Sequence, residues 1–322
     1  MWFKLTVAKD GSGDYTDIAS AINAVEFGKA ALIYIKNGIY TEKLVIDKPG
    51  IILVGEDREK TVLRYNDGAF DLGDDGEPIG TFNTASVRVT PEAEGFEAYN
   101  LTIENGAGLG SVAGQAVALY LDCDKAIIEN CRLLAKQDTL LTAPIFSDID
   151  KDPYICRRQL FKNCYIEGDV DFIFGGAVAV FEDCEICALG RPKALPCYVT
   201  AACTSKELKY GYVFRNCHIG GSAGDGAVYL GRPWREYAKV VFIDCKLDKC
   251  VSHEGFCTWN DTKRHLTSTY AQYGSYGEGY NEKSLVEWSK VLTAQEASDY
   301  ATEKVFGDWN YSEQIKKYED LI

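Results

Sequence analysis

Histidine is scarce in this chain: His218, His253 and His265 are the only three among 322 residues. No Gly-x-Ser-x-Gly elbow accompanies them, so a Ser–His relay has little support. Positive charge is also short. The 34 Lys and Arg stand against 48 Asp and Glu, a formal charge of −14, which argues against nonspecific binding to nucleic acid or to an anionic membrane, since both need a cationic face. An acidic ligand would need local Arg or Lys. No apolar run approaches the length of a membrane span. No Pro- or Ser-rich linker divides the chain, so residues 1–322 read as one domain, expected to be a monomer. The segment from Met1 to Asp10 interrupts its apolar residues with charge too early for a secretory signal. The expected location is cytoplasmic if the native start is Met1, and otherwise secreted with the leader removed.

Cysteine, by contrast, is plentiful and ordered. Five of the 12 cysteines share one position of a recurring frame: Ala126-Ile-Ile-Glu-Asn130-Cys131-Arg-Leu133, Gln159-Leu-Phe-Lys-Asn163-Cys164-Tyr-Ile166, Ala179-Val-Phe-Glu-Asp183-Cys184-Glu-Ile186, Tyr212-Val-Phe-Arg-Asn216-Cys217-His-Ile219 and Val240-Val-Phe-Ile-Asp244-Cys245-Lys-Leu247. An earlier copy carries Asn100 and Leu101. A shared phase flanked by apolar residues suits a buried stack of reduced thiols better than a disulfide framework. The irregular period of a few tens of residues, rich in Val, Ile and Phe, points to a solenoid. Asn and Asp tolerate left-handed backbone, so Asn100, Asn130, Asn163, Asp183, Asn216 and Asp244 should form a ladder of tight corners. Phe161, Phe181, Phe214 and Phe242 share another phase and should stack inside.

The fold expected is therefore all-β: a right-handed parallel β-helix. Apolar spacing at Ile18, Ile22 and Val25 predicts a short N-terminal capping helix over about 15–25. A capping box, Thr293 with Glu296, predicts a helix over Ala297–Val305 within a C-terminal helical tail of about 286–322. The ends read as caps shielding the open edges of the solenoid. The segments 65–84 and 142–156 read as surface excursions.

Asp138 and Asp171 each lie seven residues after a ladder cysteine, Cys131 and Cys164, so stacking makes them vertical neighbours. Strands in a sheet lie about 4.7–4.9 Å apart. Two carboxyls that close resist double ionisation, which separates a proton donor from an anionic nucleophile. The bland alternative is a pair that caps strand ends or binds a cation. Gln137 precedes Asp138, and Gln115 lies about one rung earlier; both offer amide donors for an oxyanion, or for backbone groups. Arg232 offers a bidentate partner for a carboxylate, with Arg191 as a rival on phase, and Trp234 offers a flat face for a sugar ring. A structural salt bridge and plain core filling are the alternatives for Arg232 and Trp234. The spacing Cys250, His253, Cys257 lacks a fourth zinc ligand, and the Gly-rich 106–114 run opens no βαβ unit. No metal and no cofactor are expected.

Several segments together carry a family likeness: Val7-Ala-Lys-Asp-Gly-Ser-Gly-Asp-Tyr15, Gly114-Gln-Ala-Val-Ala-Leu119, Gln137-Asp-Thr-Leu140, Gly168-Asp-Val-Asp-Phe-Ile-Phe-Gly175 and Leu230-Gly-Arg-Pro-Trp234. Over nearly its full length the chain resembles the pectin methylesterases (pectinesterases), carbohydrate esterases with a parallel β-helix fold. The resemblance implies hydrolysis of galacturonate C6 methyl esters in pectin or oligogalacturonides, with release of methanol. It implies Asp171 as nucleophile, Asp138 as general acid and base, Gln115 and Gln137 at the oxyanion, and Arg232 orienting Asp171. It implies Trp234, Phe174 and Val170 as substrate contacts, and methyl-esterified polygalacturonate or oligogalacturonide as the partner. Leu141 stands where relatives often have an aromatic, which suggests a lost sugar contact, and the 142–156 insertion should wall the cleft. An esterase of the same fold on another sugar or metabolite ester is one alternative, and a noncatalytic polysaccharide-binding β-helix is another.

Overall fold

The computed structural model describes residues 3–192 and 195–319. Met1, Trp2 and the last three residues of the expected tail lie outside the described residues. Among the described residues the strands form three all-parallel sheets of 11, 7 and 8 strands. Successive strands of the chain pass from sheet to sheet, so each circuit adds one rung. The result is a right-handed parallel β-helix.

The six corner residues read from the repeat all adopt left-handed backbone: φ is 56° at Asn100, 51° at Asn130, 50° at Asn163, 54° at Asp183, 51° at Asn216 and 54° at Asp244. The lower corners are also tied to each other. The Asn163 amide donates to Asn130 Oδ1 at 3.2 Å, and the Asn130 amide donates to Asn100 Oδ1 at 2.9 Å. Each side chain thus bonds its vertical neighbour while its backbone makes the turn.

Next to this edge the cysteines stack as free, buried thiols. Each donates to a carbonyl of the preceding rung, as Cys164 Sγ does to Ile128 O at 3.2 Å and Cys184 Sγ to Phe161 O at 3.4 Å. Phe161, Phe181, Phe214 and Phe242 form an interior column, with centroids 4.7, 4.4 and 4.4 Å apart and rings within 9° of parallel. Parallel sheets bury both faces. Here one face fills the interior, and the other needs separate cover.

That need explains the C-terminal tail, which differs from expectation. The capping box forms, with Thr293 accepting from the Glu296 N–H, but the helix it opens ends at Ala297 (Ala294–Ala297). A 3₁₀ turn, Ser298–Tyr300, and an extended Ala301 follow before helices Thr302–Phe306 and Tyr311–Glu319. The carbonyls of Asp299 and Tyr300 accept from the Tyr210 hydroxyl and the Arg215 guanidinium, so they are taken by the sheet. Leu292, Ala297, Val305, Phe306 and Trp309 lie on Leu160, Val180, Val213 and Val241. From Leu292 onward the tail covers the outer face of the 11-stranded sheet, whereas Val286 and Trp288, at its start, pack on the interior core beside Phe256 and Tyr270 and close that end. The N-terminal helix, Ile18–Ala24, does plug the interior with Ile18, Ala21 and Ile22. It starts at the Asp17 cap, and Val25 has already left it.

Candidate active site

The seven-stranded sheet positions the two aspartates. Leu140 pairs with Ile173 in register, and the backbone N–H of Asp138 donates to Val170 O at 3.0 Å. Asp138 and Asp171 therefore sit level on neighbouring rungs, each two residues before its strand. Both adopt left-handed backbone, φ 66° and 49°, an unusual conformation for non-glycine residues. Both side chains are mostly buried, at 8 % and 7 % exposure.

Desolvation is the first influence on either carboxyl, and it pushes both upward. Asp138 goes well above the usual carboxylate range, pushed further by the Asp171 charge. For Asp171 the upward push is opposed directly by Arg232, whose Nε donates to Oδ1 at 2.9 Å and whose Nη2 donates to Oδ2 at 2.8 Å. Asp171 is therefore the first of the two to ionise.

Arg232 is itself clamped. Its guanidinium lies over the Tyr198 ring at 3.8 Å and the Trp259 ring at 4.3 Å. A guanidinium held between two aromatic faces keeps its fork in plane with the carboxylate. Neither aromatic was legible as a site residue. Tyr198 shares the rung phase of Asp171, because Ile173 pairs with Thr200, but a ladder cysteine does not mark it. Trp259 reaches the site from a distant loop.

Arg191, the rival on phase, is not the direct partner. The excursion after Ala188 uncouples it from the rung, and its guanidinium donates to Pro196 O at 2.5 Å. It acts on Asp171 and Asp169 only through its charge.

The two glutamines differ. Gln137 is bridged to Val170 by the backbone, and its side chain interacts with Asp138. Gly110 lies so close that a Cβ there would come within 2.5 Å of Gln137 Oε1. Gln115 is level with Gln137, as expected: the Ala116 N–H donates to Gln137 O at 3.0 Å, and a one-residue bulge at Ala118 and Leu119, both donating to Thr139 O, comes only after it. It is half-buried, and its carbonyl accepts from the Ala69 N–H at 2.8 Å.

Trp234 is half-buried and packs edge-on against Phe174 and Phe146, with centroids 5.9 and 5.4 Å away. Phe146 comes from the 142–156 insertion, which thus props one wall. Phe174 is only 3 % exposed, so its accessible part is an edge. Leu141 is fully buried beside Phe174, so it would not meet a sugar directly. Val170, 7 % exposed, lines a cleft of about 280 Å³ with Gln137, Asp169, Arg191, Leu109 and Leu195. Asp169 was not singled out from the sequence. It is 6 % exposed, its Oδ1 has no hydrogen-bond partner among the described residues, and burial pushes its carboxyl upward. Cys250 belongs to the core, and His253 Nε2 donates to the Glu278 carbonyl at 3.0 Å.

A buried carboxyl pair with one member anchored by a clamped arginine is suited to attack by one group and proton transfer by the other. Known proteins resemble this chain over most of its length. The family model Pectinesterase matches residues 4–308. Pectinesterase 31 of Arabidopsis thaliana is 34% identical over 304 residues, covering 91% of this chain and 89% of that protein. The carrot pectin methylesterase superposes with a TM-score of 0.83 at 30% identity, covering 96% of this chain and 95% of that one. A pectin methylesterase in complex with hexasaccharide VII gives 0.82 at 26%, covering 96% and 98%. The chain belongs to the pectinesterase family of carboxylic ester hydrolases.

Proposed function

We propose that Asp171 and Asp138 divide the hydrolysis of galacturonate C6 methyl esters between them, in methyl-esterified polygalacturonate or oligogalacturonides. The ionised Asp171 attacks the ester carbonyl carbon. The carbon–methoxy bond breaks, Asp138 gives its proton to the departing oxygen, and methanol leaves. Asp171 is then joined to the sugar as an acyl anhydride. Asp138, now ionised, takes a proton from water, which attacks that anhydride and frees the carboxylate product and Asp171. Gln137 and Gln115 donate to the oxyanion, Arg232 orients the nucleophile, and Trp234, the edge of Phe174 and Val170 contact the sugar chain.

The observation that carries this reading is the two-point grip of Arg232 on Asp171 alone, one rung from an ungripped Asp138. Methanol release from a methyl-esterified hexagalacturonide, followed while the oligomer is sized, tests it. Methanol with unchanged chain length is expected. Chain cleavage, or no methanol, would refute it and leave a lyase-like enzyme or a noncatalytic binder.

A further inference from the structure

Residues 251–257 run as one more rung beside the strand Val228–Gly231. Val251 and Phe256 bridge to Val228 and Gly231, and the Cys257 N–H donates to Gly231 O at 3.1 Å. This last rung reaches the Arg232 clamp twice. Trp259, two residues on, covers the guanidinium directly at 4.3 Å. Glu254 reaches it through two rings. Its Oε2 accepts from the Tyr229 hydroxyl at 3.0 Å, and Tyr229 pairs in register with Tyr198. The two tyrosines stack, with centroids 5.9 Å apart and rings 18° from parallel, and Arg232 lies over Tyr198 at 3.8 Å. Glu254 is fixed through its backbone: its N–H donates to Ser252 Oγ at 3.3 Å, and its carbonyl accepts from the Val286 N–H at 3.2 Å.

An aromatic pair on a half-exposed sheet face adds some stability and needs no other purpose. This pair differs in where it ends. A guanidinium stacked on a ring follows the plane of that ring, and a two-point bond to a carboxylate tolerates little rotation. A tilt of Tyr198 therefore turns the Arg232 fork away from the Asp171 oxygens, and Tyr229 is the ring against which Tyr198 rests.

From this chain of contacts we infer that Tyr229 and Glu254 are positioning residues for the reaction, fixing the tilt of Tyr198 and, through it, the plane of Arg232 against Asp171. The inference rests on the esterase reading above, in which Asp171 attacks in its ionised form, and adds two residues to it. Because Trp259 follows the same rung, one segment sets both jaws of the clamp. Tyr229 and Glu254 line a separate hollow of about 580 Å³ with Ser252, His253 and Glu278, and take no part in the sugar contacts proposed above. The charges that face Asp171 are Arg232 and Arg191, which lower its proton affinity, and Asp169, which raises it; Asp138 faces it as well. Tyr198, Cys257 and Tyr270 also lie near, and burial pushes each of them upward, so all three are neutral near pH 7. A loosened Arg232 thus raises the proton affinity of Asp171, and the attacking form is lost at a higher pH.

The test follows the pH dependence of kcat/KM for methanol release from methyl-esterified hexagalacturonide, at matched folded concentration, in wild type, Tyr229→Leu and Tyr229→Phe. Tyr229→Leu removes the ring. It should lower kcat roughly 3- to 10-fold with KM within about 2-fold, and move the acid limb to higher pH by about half a unit or more. Tyr229→Phe keeps the ring and loses only the bond to Glu254, so its limb should lie between the other two. A limb that stays at the wild-type pH in Tyr229→Leu overturns the inference even where the rate falls, because lost packing alone gives that result. An unshifted limb in Tyr229→Phe removes Glu254 from it. Should Tyr229→Leu fail to fold, Glu254→Ala is compared with Glu254→Gln, which loses the same charge but keeps an acceptor; coincident limbs then overturn the inference. Wild type that releases no methanol refutes the esterase reading instead. The clamp is then read from an NMR titration of the Asp171 carboxyl, where Tyr229→Leu should raise the midpoint and an equal midpoint overturns the inference.

Discussion

Desolvation acts on Asp138 and Asp171 alike, so their difference lies in what touches them. Arg232 grips Asp171 at two points and is pressed between Tyr198 and Trp259. A lysine at this position keeps the charge but loses the planar fork and the ring contacts. Arg232→Lys should reduce kcat/KM roughly 10- to 100-fold. Arg232 lowers the proton affinity of Asp171, so weakening the grip raises it, and the acid limb of the pH–rate profile should move to higher pH. Asp169 acts in the opposite sense, because its charge raises both carboxyls of the pair. Asp169→Asn should therefore shift both limbs to lower pH, whereas a merely structural residue would reduce the rate without moving them. At this scale the aspartate pair was legible because both members hang from the same repeat phase. Tyr198 and Trp259 were not, because an insertion breaks the phase before one and a long loop delivers the other.

The corner ladder shows how a sequence period becomes an element. Asn163 holds φ at 50° and bonds Asn130 across the rung. For an L-residue with a Cβ and no side-chain bond, left-handed backbone costs about 1–2 kcal/mol; glycine escapes that cost. Asn163→Ala should lower the urea midpoint more than Asn163→Gly does, the reverse of their order in a helix or strand. A glycine variant less stable than the alanine variant would contradict the ladder's geometry. The stacked cysteines and phenylalanines were readable for the same reason, since repetition in phase is what a parallel stack requires. The helical part of the tail was misread as an end cap because its amphipathic pattern records that it covers something, but not which surface. Gln115 was readable from the 22-residue offset to Gln137, which the Ala116 N–H bond to Gln137 O preserves; the offset of 21 begins only at Leu119.

Across the whole molecule, the parallel stack brings together groups from Gln115 to Trp259 without any of them leaving its own rung or loop. The solenoid interior is apolar and its thiols are free and buried, so the titrating groups that matter sit on the outward side of one sheet. Among the described residues no helix is long and apolar enough to cross a membrane. What the fold contributes to chemistry is a fixed vertical spacing between two carboxyls and a fixed lateral approach for one arginine. The most direct test replaces the gripped carboxylate by its isosteric amide and follows methanol from methyl-esterified hexagalacturonide at matched folded concentration. Asp171→Asn should lose at least about 10³-fold in rate while still binding the oligomer. Methanol release at the wild-type rate would contradict the assignment of Asp171 as the attacking group.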